Sequence, residues 1–534
     1  MKERKIGLII VFPPYILKEG EGLSTLLLSL LKGFQEKGIR IILAYPSWLD
    51  NDLKSLLKAQ YTMIDHSRIE FISPKRVPIV VILEYYLSKI HSILHRRKKP
   101  LLKKWFQAAL LEFEQKIPRA LGRLNYSSII FLILLFISAV VLFLILSLII
   151  ISGHILVSLR KILSQKIKEK NTASIYFNTI LNEISSMQIR TVHELMKHES
   201  KKLASLIHPF GDDIRWVIFT PFWPEMTRAI PKPVVIFPDI VFHETPVGYG
   251  MDQLLDFHLI RKNNIRESLK ESSQIITYSE YTKMCHVQGF LEIRDKKISV
   301  VHHAPLDLSG YLNILRPFSE LSLSEKRDLC LQIVTDYLKT LDNEYLSDFD
   351  ISDVQFLLYS SQLRPHKNFF HLFQALNLLI RERYHPIKLV VTAGVHGNRD
   401  LQKYISDNGL SRDIIIVPRI SQRVLAAFYH LAALAINPTL FEGDLPFTFS
   451  EAMSVGTPVL LSRIPVVEEV IHDPQIQDII LFDPRDVDNM AEKISWGLNN
   501  RDLLYRIEKP LYDQMKKRTW ADVAEKYYQV AYEE

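Results

Sequence analysis

Glu442 and Glu451 stand with eight residues between them in NPTLFEGDLPFTFSEAMSVGTPV, residues 437–459. Carboxylates at these positions suit a ligand rich in hydroxyls. Residues 434–437 are a short apolar run, the pattern of a buried strand, and Pro438-Thr439 break it. Glu442-Gly443-Asp444 fall where that strand gives way to a helix over 447–455. Gly456 is its left-handed stop, Pro458 lies just beyond, and 459–461 begin the next strand. A glycine-containing turn and a helix N-terminus thus sit at the carboxyl end of a parallel strand. Open α/β sheets bind ligands there, and free backbone N–H groups favour phosphate. An ionised carboxylate accepts hydrogen bonds from two neighbouring hydroxyls. A simple helix cap is the other use such a Glu442 can have.

The run FEGDLPFTFSEAMSVGTPV resembles the signature of retaining GT-B glycosyltransferases, the large family that includes bacterial mannosyl- and glucosyltransferases. The resemblance implies that Glu442 holds hydroxyls of a donor sugar, Glu451 holds the ribose of its nucleotide, and backbone amides at Gly443 and Asp444 meet the diphosphate. Seven residues separate the glutamates in the family, and a second glycine is usual; neither holds here. SSQLRPHKN, residues 360–368, resembles the family loop in which an arginine and a lysine clamp that diphosphate. Lys367 matches the lysine, Gln362 stands at the arginine position, and Arg364 follows two residues later. Cations there neutralise the charge that builds on the leaving nucleoside diphosphate. FPDIVFHETPVG, residues 237–248, resembles the histidine–aspartate segment at the interdomain cleft. Asp239 matches, Pro238 replaces the histidine, and His243 is the candidate substitute or a plain loop histidine. The turn at 418–421, with Ile420, corresponds to the one beside the nucleotide base.

These residues need a frame. The apolar run 6–12 reads as a strand covered on both faces. The loop YILKEGEGL follows, then an amphipathic helix over 24–37 and a strand over 39–45. Gly20 and Gly22 in that loop fit either a phosphate contact or a plain turn. Further strands read at 216–219, 234–237, 275–278 and 298–301. IITYSEYTK and VVHHAPLD resemble the end of the family's first domain. His302 and His303 are adjacent, so on a strand they face opposite sides and form no metal pair. The second domain reads as strands at 356–359, 388–392, 413–417 and 479–482, with helices over 369–384 and 422–433. The expected organisation is α/β with two Rossmann-like domains: 1–310, a linker 311–352, 353–510, and a C-terminal helix 511–534 crossing back to the first.

Residues 85–173 interrupt the first domain and fit no Rossmann pattern. Arg96, Arg97, Lys98, Lys99, Lys103 and Lys104 cluster beside Trp105 and Phe106. Residues 129–151 then run uncharged, and about 20 such residues span a bilayer. Basic residues resume from Arg160. Basic, aromatic flanks beside an apolar run fit anionic headgroups better than nucleic acid. If the sheet begun at 6–12 is completed after 173, both flanks lie on one side of the membrane, and basic flanks favour the cytoplasmic side. A re-entrant or interfacial helical insertion is therefore expected, or a spanning helix if a second crossing exists. The formal charge of +7 over 534 residues is modest, and two cysteines make no disulfide framework.

The resemblance implies a membrane-associated glycosyltransferase with no cofactor and no metal. It would move sugar from a nucleotide-diphosphate sugar, with a GDP-mannose-like donor as one candidate, to a lipid-linked or polysaccharide acceptor with retention. A non-catalytic GT-B scaffold and an inverting enzyme are the alternatives. Membrane lipids are expected partners and nucleic acid is not.

Overall fold

The computed structural model of the chain describes residues 3–10, 22–59, 64–78, 81, 193–245, 255–314, 316–341, 343–395, 398–418 and 420–533. The expected insertion at 85–173, its apolar core 129–151, and Gly20 lie outside the described residues. Among the described residues no helix is long and apolar enough to cross a membrane. The chain divides into two units, Met1–Val77 with Gln188–Glu534, and Pro78–Met187.

The first unit carries two parallel sheets. One orders its strands β3-β2-β1-β4-β5-β6-β7: β1 Lys5–Ile9, β2 Arg40–Ala44, β3 Ile69–Ile72, β4 Trp216–Ile218, β5 Val234–Ile236, β6 Gln274–Thr277 and β7 Lys297–Val300. The second is β10-β9-β8-β11-β12-β13: β8 Gln355–Tyr359, β9 Ile387–Val391, β10 Ile414–Ile416, β11 Leu434–Asn437, β12 Val459–Ser462 and β13 Leu481–Phe482. Both have the doubly wound order that reverses beside the first strand of each.

The apolar runs make strands because both faces of each sheet are covered. Along β1, Ile6 and Leu8 enter one core and Ile9 the other. Val234 and Ile236 of β5 likewise part from Val235. That is the two-residue period of a strand between two helical layers. β1 pairs with both β2 and β4. The chain leaves the first sheet after β3 and returns to its middle at β4, so one sheet contains both flanks of residues 73–215.

Helix α1, Gly22–Glu36, covers one face of the first sheet. Helix α2, Leu323–Lys339, falls in the expected linker 311–352, yet it buries Cys330, Val334 and Leu338 in the core of the second domain. In that domain α3 is Phe369–Arg381, α4 Gln422–Leu431, α5 Phe447–Ser454 and α6 Arg501–Met515. The expected strand at 479–482 is shorter. A helix over Pro474–Ile480, capped by Asp473 with proline at its first turn, takes its beginning. The last helix, α7 Trp520–Tyr532, returns to the first domain and buries Val523, Ala524, Tyr527 and Val530 with Leu26, Leu27 and Leu30 of α1. Gly33 permits this approach: a β-carbon there would stand 2.2 Å from the Trp520 carbonyl oxygen.

Candidate functional site

β8 and β11 are neighbours, paired in parallel at Leu434 and Leu357. They mark the point where the strand order of the second sheet reverses, so the loops leaving their carboxyl ends diverge and open a crevice. The loop after β8 carries Lys367 and the loop after β11 carries Glu442. Lys367 Nζ and Glu442 Oε1 form an ion pair. Their side chains are only 17% and 18% exposed, so solvent screens the pair weakly.

Further hydrogen bonds brace the two loops. The Tyr359 hydroxyl at the end of β8 donates to the Lys367 carbonyl at 2.9 Å. The His366 carbonyl accepts from the Leu440 amide at 2.8 Å and the Thr439 hydroxyl at 3.2 Å. Burial, then the Lys367 and Arg364 charges, push His366 down to about 2, so it is neutral. Asn368 has a left-handed backbone, φ 57°. Its buried amide donates to the carbonyls of Pro438 at 2.9 Å and Pro484 at 2.7 Å. The exposed Arg364 guanidinium donates to Gln362 Oε1 at 2.9 and 3.0 Å, so these two residues form one fork in the loop.

Glu451 lies on α5, the helix that follows the Glu442 loop. The Tyr429 hydroxyl of α4 donates to its Oε2 at 3.1 Å. Glu451 keeps partial access to solvent, yet desolvation pushes its carboxyl up to about 7 against that hydrogen bond. Ile420 packs on the core just before α4, which Ser421 caps.

Gly443 meets the first domain. A β-carbon there would stand 2.6 Å from the Pro238 carbonyl oxygen and 3.6 Å from Asp239 Cβ. Its own carbonyl accepts from the Ser279 hydroxyl at 3.0 Å. Asp239 is thereby brought beside the Glu442 loop, where its carboxylate accepts from the Val241 amide at 3.1 Å.

His243 and Gly22 are the remaining expected site residues within the described part of the chain. His243 is exposed and stacks on Phe290, with ring centroids 3.6 Å apart. Its neighbour Glu244 makes the polar contacts, to His286 Nε2 at 2.7 Å and from the Tyr281 hydroxyl at 3.2 Å. The His286 hydrogen bond holds the Glu244 carboxyl below its usual range. The His286 ring also meets Phe441 of the second domain at 5.4 Å. Gly22 is the first residue of α1 and would accept a β-carbon without contact.

Asp444 is 8% exposed and faces the first domain. Its Oδ1 meets His302 Nδ1 at 3.1 Å, and its Oδ2 accepts from the His303 amide at 2.8 Å. Burial would raise this carboxyl, but the His302 hydrogen bond and both histidine charges outweigh it and hold it low. Glu469 takes the amides of Glu280 at 2.6 Å and Tyr281 at 2.9 Å. These contacts form an interdomain clasp. Nothing in the sequence alone separates Asp444 from a donor-binding role, because the signal is its partner far along the chain. Among the described residues no group of His, Cys, Asp and Glu is arranged to hold a metal ion. Two cavities of about 270 Å³ lie away from the ion pair, one against β10 and one beside Arg215 and Lys297.

Two Rossmann-like domains meeting across loops from the carboxyl ends of their strands define a GT-B-like protein. Residues 347–518 match the family model described as glycosyl transferases group 1. Over 182 residues the chain is 29% identical to the lipopolysaccharide 1,2-N-acetylglucosaminetransferase of Salmonella typhimurium, covering 33% of this chain and 47% of that relative. It is 33% identical over 128 residues to the MMP alpha-(1->4)-mannosyltransferase of Mycolicibacterium hassiacum, covering 24% and 30%. It is 27% identical over 157 residues to O-antigen chain mannosyltransferase B of Escherichia coli, covering 29% and 40%. The chain thus spans less than half the length of each of these relatives. Among solved structures it resembles a sucrose-phosphate synthase of Thermosynechococcus elongatus, with a TM-score of 0.56, 12% identity, and coverage of 99% of this chain and 98% of that one. It also resembles HepE of Anabaena, solved with UDP, with a TM-score of 0.51, 12% identity, and coverage of 98% and 99%. At that identity the likeness is one of fold.

Proposed function

We propose that the chain is a glycosyltransferase that moves a sugar from a nucleotide-diphosphate sugar onto a lipid-linked or envelope polysaccharide acceptor, with retention of configuration. The observation that carries this reading is the Lys367–Glu442 pair, held where the order of the second sheet reverses. Lys367 faces the diphosphate and stabilises charge on the departing nucleotide. Glu442 orients hydroxyls of the donor sugar, and Glu451 takes the ribose. Asp239, pressed against Gly443, stands on the acceptor side. Arg364 adds charge at the mouth of the loop. Donor chemistry of this kind needs no metal, since a fixed cation does the neutralising.

Two of the relatives are named for lipopolysaccharide and O-antigen chains, which supports the acceptor class. HepE, solved with UDP, supports a nucleotide on this fold. The membrane part of the reading rests on the uncharged run 129–151 and its basic flanks. It also rests on the return of the chain to its own sheet at β4, which favours an insertion whose flanks share one side, the cytoplasmic one.

The test is release of nucleoside diphosphate by membranes carrying the wild type or Glu442→Ala, with a panel of nucleotide sugars. Loss of a fixed group that acts on the transferring sugar is expected to slow release about 10²–10³-fold. Equal release by both would sink the assignment and leave a non-catalytic scaffold.

A further inference from the structure

Glu451 is the carboxylate assigned to the ribose, and the role of its neighbour Tyr429 rests on that assignment. Glu451 Oε2 accepts from the Tyr429 phenol at 3.1 Å. Tyr429 is 0% exposed, on the helix that starts beside Ile420. The phenol lies beside the hydroxyls of Ser360 and Thr448. Thr448 in turn accepts from the Asn437 amide at 3.1 Å. The Tyr429 phenol thus ties helix α4 to one oxygen of Glu451 on α5, with the Ser360 and Thr448 hydroxyls beside it.

We propose that Tyr429 is a positioning residue for the donor nucleotide: its phenol pins Oε2 of Glu451 so that Oε1 is presented to the ribose hydroxyls. A glutamate has several rotatable bonds, and a half-buried one samples orientations that point its oxygens at the wrong partner. Tyr429 has few, and its ring is fixed by complete burial, so it transmits the position of α4 to the carboxylate. The arrangement also bears on protonation. Burial raises the Glu451 carboxyl, and the phenol is the group that opposes this. A protonated carboxyl has one acceptor fewer, so gripping two ribose hydroxyls calls for the ionised form. Three ionisable groups on the packed elements have other partners. His430 of α4 meets the Val455 carbonyl at 2.8 Å. Glu508 of α6 accepts from the Val459 amide at 3.0 and 3.2 Å, and Arg501 donates to the Ala433 and Gly456 carbonyls. From β11 the neutral Asn437 faces Thr448.

The experiment is calorimetric titration of the full chain in nanodiscs with UDP, GDP and ADP, each against its 2′,3′-dideoxy counterpart, from pH 6 to 9. Wild type is expected to bind one ribonucleotide about tenfold better than the dideoxy form above neutral pH, because hydrogen bonds to a charged group are lost with the hydroxyls. That advantage should vanish as the pH falls below about 7, where burial leaves the carboxyl protonated. Tyr429→Phe should cut the advantage about threefold or more at pH 7.5 and move its midpoint to higher pH, by about half a unit or more, leaving dideoxy affinity unchanged. Glu451→Gln should abolish the advantage at every pH. Tyr429→Phe with the wild-type advantage and midpoint, or with equal weakening of both forms, overturns the positioning role. Undiminished advantage in Glu451→Gln, or wild type that binds none of the three nucleotides, overturns the donor reading beneath it and the proposal with it.

Discussion

Asn368 is the residue on which the position of Lys367 depends. It follows the lysine directly, in a left-handed conformation that most side chains resist. Its amide reaches one carbonyl on the Glu442 loop and a second beyond β13. Asn368→Ala removes these two hydrogen bonds and the one with His371 Nδ1, leaves two buried carbonyls short of a donor, and keeps the strained backbone. The expected loss of unfolding free energy is about 2–4 kcal/mol, from about 0.5–1.5 kcal/mol per hydrogen bond plus the left-handed penalty. Urea melts of the full chain check it, and a change below about 0.5 kcal/mol would contradict the role. Lys367, Glu442 and Glu451 stand out in the sequence as candidates because a run of neighbouring residues marks them, and the structure brings Lys367 and Glu442 together. Asn368, Tyr429 and the Glu244–His286 pair were not. Their partners lie tens of residues away, and single residues of those types carry no local mark. The contacts of Asp444 with His302 and His303 were hidden for the same reason, since those histidines belong to the other domain.

At the scale of elements, most strands could be read because they are apolar without alternation, as two-sided burial requires. The differences between expectation and structure have local causes. Polar surface residues hid the stripe Cys330, Val334 and Leu338 that seats α2 in the second core, although Ser322 and Glu325 form a capping box at its start. An apolar pair at 479–480 suggested a strand, but the Asp473-Pro474 start signal upstream decides for helix. Helix α6 carries a feature no pattern shows. Glu508 is 0% exposed, and burial raises its carboxyl well above the usual range while its oxygens accept from the Val459 amide. The folded chain therefore holds a proton that the unfolded chain releases near pH 4.5. Stability contributed by this group is highest below that pH and falls as pH rises toward the folded value. Glu508→Gln keeps an acceptor for Val459 without a charge. It should flatten the decline in stability as pH rises above about 4.5, measured by urea melts at each pH, and an unchanged slope would contradict this role for the buried carboxyl.

For the whole molecule the sequence posed a topological question: whether an apolar run can interrupt a sheet without splitting it across a membrane. β1 lies between β2 and β4 in one parallel sheet, so the flanks of residues 73–215 belong to one body. Reporter fusions at positions 75 and 200 in membranes should both report the cytoplasmic side; opposite sides would contradict an insertion of this kind. Closure of the two domains is a separate matter and runs through the clasp of Asp444 and Glu469 on the first domain. It holds Gly443 close enough to Pro238 that no side chain fits between them. The Glu442 loop therefore meets the first domain in direct contact.

The central claim is that the second domain grips an activated sugar by its diphosphate. The most direct measurement is a structure of the full chain solved with the nucleoside diphosphate it binds. The expected result is the β-phosphate within ion-pair distance of Lys367 Nζ and the ribose hydroxyls on Glu451. A nucleotide bound in the second domain with neither residue in contact would contradict the claim.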